Sequence, residues 1–376
     1  MDFTSSSYLG YRHGHAELSP WQALTTGRPA GLAEFPQADR LARDVARRMG
    51  RADAVLATST LHGLVDVWSV LHRQPTVALI DEAAYPIARM ALRVSGAAGD
   101  QVVVPHFGAA AVARAVRALP LGVRPVLLVD GLCTGCGRLA PIPDLLTALA
   151  PRRGLVLVDD TQAFGLVGAA PDPGAPYGHG GGGVSAALAL PPSARLVVVA
   201  SAAKAFGAPL AVVAGPPDLI DLVRRYGPCR VHASAPSAAS QAALGHALAD
   251  DADAAARRVR LDRLVRVFRA RLRDHGVSTA NTGNWPTQLV PVTAAVADRT
   301  VDRLRRAGVR TVCVRPACGT GLRLIFLVTA DHRMPDVIGS GRAVARIVST
   351  GPPGHRPVAG HRARPTPIDR PSAILG

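Results

Sequence analysis

Seven apolar runs of strand length recur along the chain, and the gaps between many of them are wide enough for a helix. They are AVLAT (54–58), TVALID (76–81), QVVVPH (101–106), PVLLVDGL (125–132), GLVLVDD (154–160), RLVVVAS (195–201) and LAVVAG (210–215). Between several of them lie segments such as AAYPIARMALRVSG and AAAVARAVRALP, whose apolar residues return every three or four positions, as one face of a helix requires. Strands that are apolar almost throughout are buried on both faces, so the pattern predicts an α/β domain over residues 36–235 with a mostly parallel sheet flanked by helices.

Past residue 235 the rhythm changes. Residues 236–275 read as one long helical region. Short apolar runs follow at 287–293, 309–316 and 322–329, with helical patterns at 298–308 and near 335–348. This order predicts a smaller C-terminal α+β domain over 236–350, preceded by an N-terminal arm at 1–35 and the large domain. Residues 351–376, rich in Pro, Gly and Arg, read as a disordered tail. The glycine- and proline-rich stretch 168–187 lacks the spacing of a phosphate loop and reads as a flexible surface loop.

Composition narrows the function classes. The formal net charge is +16, yet the arginines are spread along the chain. In RRVRLDRLVRVFRARLRD (257–274) they alternate with apolar residues, as on a solvated helix face. Only 4% of residues are aromatic, too few to favour base stacking on nucleic acid. The charge suits small anionic substrates: phosphates, carboxylates or a CoA tail. The chain shows no apolar run of membrane-spanning length and no secretory signal, so the expected location is the cytoplasm. Of five cysteines, Cys133 and Cys136 form one CxxC. With no second CxxC or His pair at zinc spacing, no metal is expected, and the thiols read as small buried side chains.

Lysine usage raises the sharpest question. Of 43 basic Lys and Arg residues only Lys204 is lysine. It lies just past an apolar strand and beside a glycine turn. Ligands gather at the carboxyl ends of strands in open α/β sheets, and a partly desolvated amine there is a nucleophile that arginine cannot replace. A lysine reaching to solvent from a loop is the plainer alternative. Two other strands end in an acid: Asp130, before a turn with Thr134, and Asp159, which could hold a cationic ring nitrogen or, less readily without a histidine nearby, a metal, or simply cap the following turn. Thr58, Ser59 and Thr60 precede a helix and suit either N-capping or anion binding.

Four ordered stretches resemble the α-oxoamine synthase branch of the fold-type I enzymes that use pyridoxal 5'-phosphate (PLP), in the aminotransferase class I/II superfamily. They are VDGLCTGCGRLAPIPDLL, LVDDTQAFGLVG, SAAKAFGAP and VRPACGTGLRLIFLVTADH. The resemblance implies a PLP-dependent transferase and a homodimer. It implies that Lys204 carries the cofactor and moves the substrate Cα proton, and that Asp159 pairs with the pyridine nitrogen. Ser201, Thr58, Ser59 and Thr60 would hold the phosphate, and Asp130 and Thr134 would lie near the ring. Arg315, with Arg323 as a second candidate, would receive a substrate carboxylate. Ser234 would approach the partner subunit's cofactor phosphate.

The departures fall on the substrate side. Tyr85 stands where the family stacks a histidine on the ring, and Gln162 where a second histidine meets the ring oxygen. Ala233 replaces a threonine, and TTGRPAGLAEFP (25–36) is a thin match to the family's glycine-rich substrate segment. The resemblance implies decarboxylative condensation of an amino acid with an acyl thioester, on CoA or an acyl carrier. Amino transfer or another carbanion reaction stays open, because PLP stabilises whichever carbanion the site forms. A non-catalytic protein of the same fold is the remaining alternative.

Overall fold

A strand sends successive side chains to opposite faces, so a run with no polar positions needs cover on both. The computed structural model describes residues 1–14, 24–96, 101–192 and 194–349. In chain order its strands are β1 (Asp53–Ala57), β2 (Thr76–Asp81), β3 (Gln101–Val104), β4 (Arg124–Asp130), a hairpin of β5 (Leu132–Cys133) and β6 (Arg138–Leu139), β7 (Leu155–Asp159), β8 (Leu196–Ser201), β9 (Ala211–Gly215), β10 (Thr287–Val292), β11 (Val312–Val314) and β12 (Leu322–Leu327). All seven anticipated strands join one sheet, in the order β1-β9-β8-β7-β4-β2-β3. Strands β3, β2, β4, β7 and β8 are parallel, whereas β9 runs antiparallel to both β8 and β1. The sheet is therefore mixed but mostly parallel.

Alternation assigns the side chains to two cores. Leu127 and Val129 of β4 face one, Val126 and Leu128 the other. Helices Thr60–Leu71, Pro86–Val94 and Pro217–Tyr226 cover the second face. Helices Ala38–Arg48, Ala109–Ala118 and Ile142–Leu149 cover the first. Gly63 lets the Thr60–Leu71 helix approach the sheet closely: a Cβ there would lie 2.8 Å from Val213 Cγ2.

Two expectations need correction. The region 236–275 is two helices, Ala238–Ala249 and Asp251–Arg273. Asp250 breaks it with extended backbone, and its carboxylate accepts from the Asp253 N–H at 2.8 Å. A short acidic side chain offers the backbone this alternative to continuing a helix. The stretch 168–187 is also not a loose surface loop throughout. Tyr177 and Val184 are buried in the main core, and the Val184 N–H donates to the buried Asp160 carboxylate at 2.9 Å.

In the C-terminal part, β12 pairs antiparallel with β10 and β11. The start of the chain packs here. Phe3, Tyr8 and Leu9 are buried, and Phe3 meets the rings of Phe268 and Phe326. The Phe3 N–H donates to the Arg310 carbonyl, and the Leu327 N–H to the Phe3 carbonyl. The proposed tail, 351–376, lies outside the described residues, as does 15–23 of the arm. No helix among the described residues is long and apolar enough to cross a membrane.

Candidate active site

Parallel strands bring their carboxyl ends to one edge of the sheet, and three groups converge there. Asp130 ends β4 and Asp159 ends β7, and the two are direct register partners. Lys204 follows the end of β8, the next strand. Burial pushes Asp130 up to about 8, reinforced by the charge of Asp159. Burial likewise raises Asp159, while hydrogen bonding from Thr161 and the Lys204 charge pull it down. Burial lowers Lys204, against the pull of Asp159 and Asp130. Two desolvated carboxylates and one desolvated amine thus share one edge of the sheet, each held away from its solution behaviour by the same loss of water.

The neighbours fix these groups. The Thr161 N–H donates to Asp159 Oδ1 at 3.0 Å, and the Thr161 hydroxyl accepts from the Ser201 N–H at 3.1 Å. Thr161 so ties the ends of β7 and β8 together, a role that sequence reasoning did not give it. The Tyr85 N–H donates to Asp130 Oδ1 at 3.1 Å, while its ring is 60% exposed. Tyr85 precedes Pro86, the first residue of its helix, and the fixed proline geometry holds its backbone over the strand end.

Gln162 lies in the turn after β7. Its Oε1 accepts from the buried Tyr8 hydroxyl at 2.5 Å, and that hydroxyl also lies 3.3 Å from Thr287 Oγ1. Burial pushes Tyr8 up to about 12, so it stays a donor at neutral pH. Sequence reasoning missed Tyr8 because the contact spans 154 residues.

The hydroxyl cluster forms a second edge. Ser59 caps the Thr60–Leu71 helix, its Oγ accepting from the His62 N–H, and Thr60 is the first helical residue. Thr58 is exposed and donates to the Ser234 carbonyl at 3.2 Å, which joins two of the expected phosphate residues within one chain. Ser201 Oγ accepts from the Ala203 N–H at 3.2 Å. Thr134 is half-buried in the turn between β5 and β6. Arg315 is exposed and, among the described residues, makes no hydrogen bond or ion pair. Arg323, in β12, folds its guanidinium onto the Leu322 carbonyl at 2.9 Å. Neither arginine bonds the Lys204 group.

PLP needs a reactive amine, a carboxylate for its ring nitrogen, and donors for its phosphate. Asp159 and Asp130 are destabilised as charges by burial, and a cationic ring nitrogen would relieve them. The donor set therefore fits the cofactor.

Comparison with known proteins agrees. The family described as aminotransferase class I and II matches residues 14–329. An 8-amino-7-oxononanoate synthase of Halorhodospira halophila is 28% identical over 368 residues, spanning 93% of this chain and 86% of the relative. A putative 8-amino-7-oxononanoate synthase of Bacillus licheniformis is 28% identical, spanning 89% and 87%. Among solved structures, serine palmitoyltransferase of Sphingomonas wittichii aligns with a TM-score of 0.81 at 17% identity, covering 94% of this chain and 88% of that one. The 8-amino-7-oxononanoate synthase of Francisella tularensis aligns at 0.74 and 16%, covering 92% and 97%. With the family match running through every strand of the large sheet and reaching the end of the small one, and with an amine and two acids gathered at the sheet edge, this chain belongs to the aminotransferase class I and II family and is a PLP-dependent transferase.

Proposed function

We propose that this protein condenses an amino acid with an acyl thioester, with loss of the amino acid's carboxylate. The observation that carries the reading is the convergence of Lys204, Asp159 and Asp130 at adjoining strand ends, each perturbed by burial. It is supported by the two 8-amino-7-oxononanoate synthases, which align over most of their length.

The residues divide the work. Lys204 Nζ, its charge disfavoured by burial, would hold the cofactor through its aldehyde and would take and return the substrate Cα proton. Asp159, held in place by Thr161, would keep the proton on the ring nitrogen. Bound PLP supplies the electron sink for the pair left on Cα. Ser201, Thr58 and the Ser59–Thr60 helix start would hold the phosphate, and Gln162, oriented by Tyr8, would meet the ring oxygen. Exposed Arg315 receives the substrate carboxylate. The Cα–carbonyl bond forms as the thioester C–S bond breaks, which frees the thiol. The Cα–carboxylate bond breaks to release CO2, and its electron pair is reprotonated at Cα.

Supplying PLP and amino acids, with and without acyl-CoA, tests this. Free thiol and CO2 should appear together only when both substrates are present. Lys204→Ala should abolish both, along with the visible absorption of lysine-bound cofactor. Arg315→Ala should raise KM for the amino acid about tenfold or more, as expected for losing a charged hydrogen bond. The exposed Tyr85 ring favours a second reading, amino transfer, since a tyrosine cannot act as the histidine would. Keto acid formed without thioester, and no thiol release with any acyl-CoA, would establish it instead.

We further propose a cytoplasmic homodimer. Tyr85 at the N-cap of the Pro86–Val94 helix, Met90 and Val94 within it, and Val102 and Val103 of the edge strand β3 are each exposed apolar side chains. A second copy of the chain would cover them, and Tyr85, whose N–H donates to Asp130, would then put the site beside the subunit boundary.

A further inference from the structure

Three segments far apart in sequence meet beside the active site. His106 follows β3, Cys133 and Cys136 sit in the β5–β6 hairpin, and Cys318 lies in the loop between β11 and β12. One ligand atom from each lies within 4.8 Å of all the others. His106 Nε2 and Cys136 Sγ are 3.5 Å apart. A tetrahedral zinc with bonds of about 2.0–2.1 Å to nitrogen and 2.3 Å to sulfur places such a pair about 3.6 Å apart. One edge of that tetrahedron is therefore already formed.

The surroundings are those of metal ligands. The His106 ring turns its Nδ1 to the buried Asp81 carboxylate at 2.8 Å, which leaves Nε2 facing the sulfurs. Asp81 is itself fixed by the N–H groups of Ala83 and Phe107. A carboxylate behind a histidine sets its tautomer and raises its basicity toward a metal. In the hairpin, the Cys136 N–H points at the Cys133 sulfur, and the Arg138 N–H and guanidinium point at the Cys136 sulfur. Gly137, with φ of 73°, makes the turn that allows this, and it is pressed against Thr282: a Cβ would lie 2.2 Å from the Thr282 carbonyl oxygen. Gly135 lets Cys318 come in, since a Cβ there would meet Cys318 Cβ at 3.0 Å.

We propose that His106, Cys133, Cys136 and Cys318 bind a structural Zn2+. Three thiolates and an imidazole form a closed soft set that selects zinc and leaves no open position for catalysis. Three thiolates and a neutral histidine leave the site with one net negative charge, which faces Arg138. The metal would clip the loop carrying Cys318, three residues past Arg315, to the sheet edge bearing Asp130. The expectation of no metal came from linear spacing, which shows the CxxC but cannot show a histidine and a third cysteine arriving from other strands.

The test uses the full chain, purified without chelator or a metal column and analysed for metals by mass spectrometry. About one zinc per chain is expected for a closed four-ligand site. Cobalt substituted for zinc should give the visible d–d bands of tetrahedral thiolate coordination. Cys318→Ser should leave no more than a small fraction of the zinc, and Asp81→Asn should weaken binding about 10- to 100-fold. Cys313→Ser, outside the cluster, should retain all of it. Absence of zinc after growth and dialysis in zinc overturns the proposal. So does iron in its place, a Cys133–Cys136 disulfide in the native protein, or equal zinc loss in Cys313→Ser and Cys318→Ser.

Discussion

Asp66 lies in the Thr60–Leu71 helix, whose N-terminus we assign to the cofactor phosphate, and only 1% of it is exposed. Its Oδ1 accepts from the Cys229 N–H at 2.6 Å. Burial pushes the carboxyl up to about 6 from its ordinary 3.8, although the Cys229 contacts and the Arg230 charge oppose the shift. Below about pH 4 folded and unfolded chains both hold the proton, so ionisation adds no penalty. Between about pH 4 and 6 the unfolded chain ionises first, and stability falls as pH rises. Above about pH 6 the folded state carries the full penalty. At about 1.4 kcal/mol per pKa unit, a shift of this size corresponds to about 3 kcal/mol. Asp66→Asn removes the ionisation and keeps an oxygen for the Cys229 N–H. Its NH2 needs a partner, which Cys229 Sγ offers only weakly, so the net gain should be about 1–3 kcal/mol at pH 7.5. At pH 4 the ionisation gain is gone and only the cost of the amide is left, so the variant should be level with the parent or up to about 2 kcal/mol less stable. Urea midpoints followed through the buried Trp68, in the same helix, measure the difference, and comparing the two proteins cancels the other titrating groups. A stability difference that stays constant from pH 4 to 7.5 would refute the argument, as would a variant less stable than the parent throughout.

Tyr8→Phe leaves Gln162 Oε1 without its donor and frees the amide to turn. PLP affinity measured by fluorescence titration of the cofactor-free protein should fall about 5- to 10-fold, matching the net worth of one hydrogen bond near 1 kcal/mol. An unchanged Kd would remove Gln162 from the cofactor site. The 39.0 kDa chain should sediment at twice its mass, and Met90→Glu with Val94→Glu should yield monomers. A monomeric parent would sink the subunit-boundary reading.

Much of the frame was legible because burial on two faces leaves a plain mark. The seven runs became the seven strands of the large sheet, and the acids at 130 and 159 ended two of them because polar residues tolerate only the strand ends. Lys204 stood out by composition alone. What escaped depends on contacts between distant segments. The antiparallel turn of β9 leaves no trace in an apolar run that would suit either direction. Tyr8 reaches Gln162 only because the arm packs against β12, and Cys318 meets Cys133 only because β11 and β12 close over the hairpin. The break at Asp250 was written locally, as a short acid inside a helical run, but the periodic alanines around it read through as continuous helix.

The packing of the arm has a consequence for biosynthesis. Phe3 and Leu9 leave the ribosome well ahead of their partners: Phe3 is hydrogen-bonded at Arg310 and Leu327, roughly 300 residues later. At a synthesis rate of about 5–20 residues per second, those apolar side chains wait about 15–60 s for their cavity to exist. During that interval the large sheet can form without them. Closure of the smaller sheet over the arm is then one of the last folding events, and it delivers Tyr8 to Gln162. The site would mature from the first and last thirds of the chain together, so a nascent protein halted before Leu327 would hold its lysine and acids but not the tyrosine that aligns the glutamine.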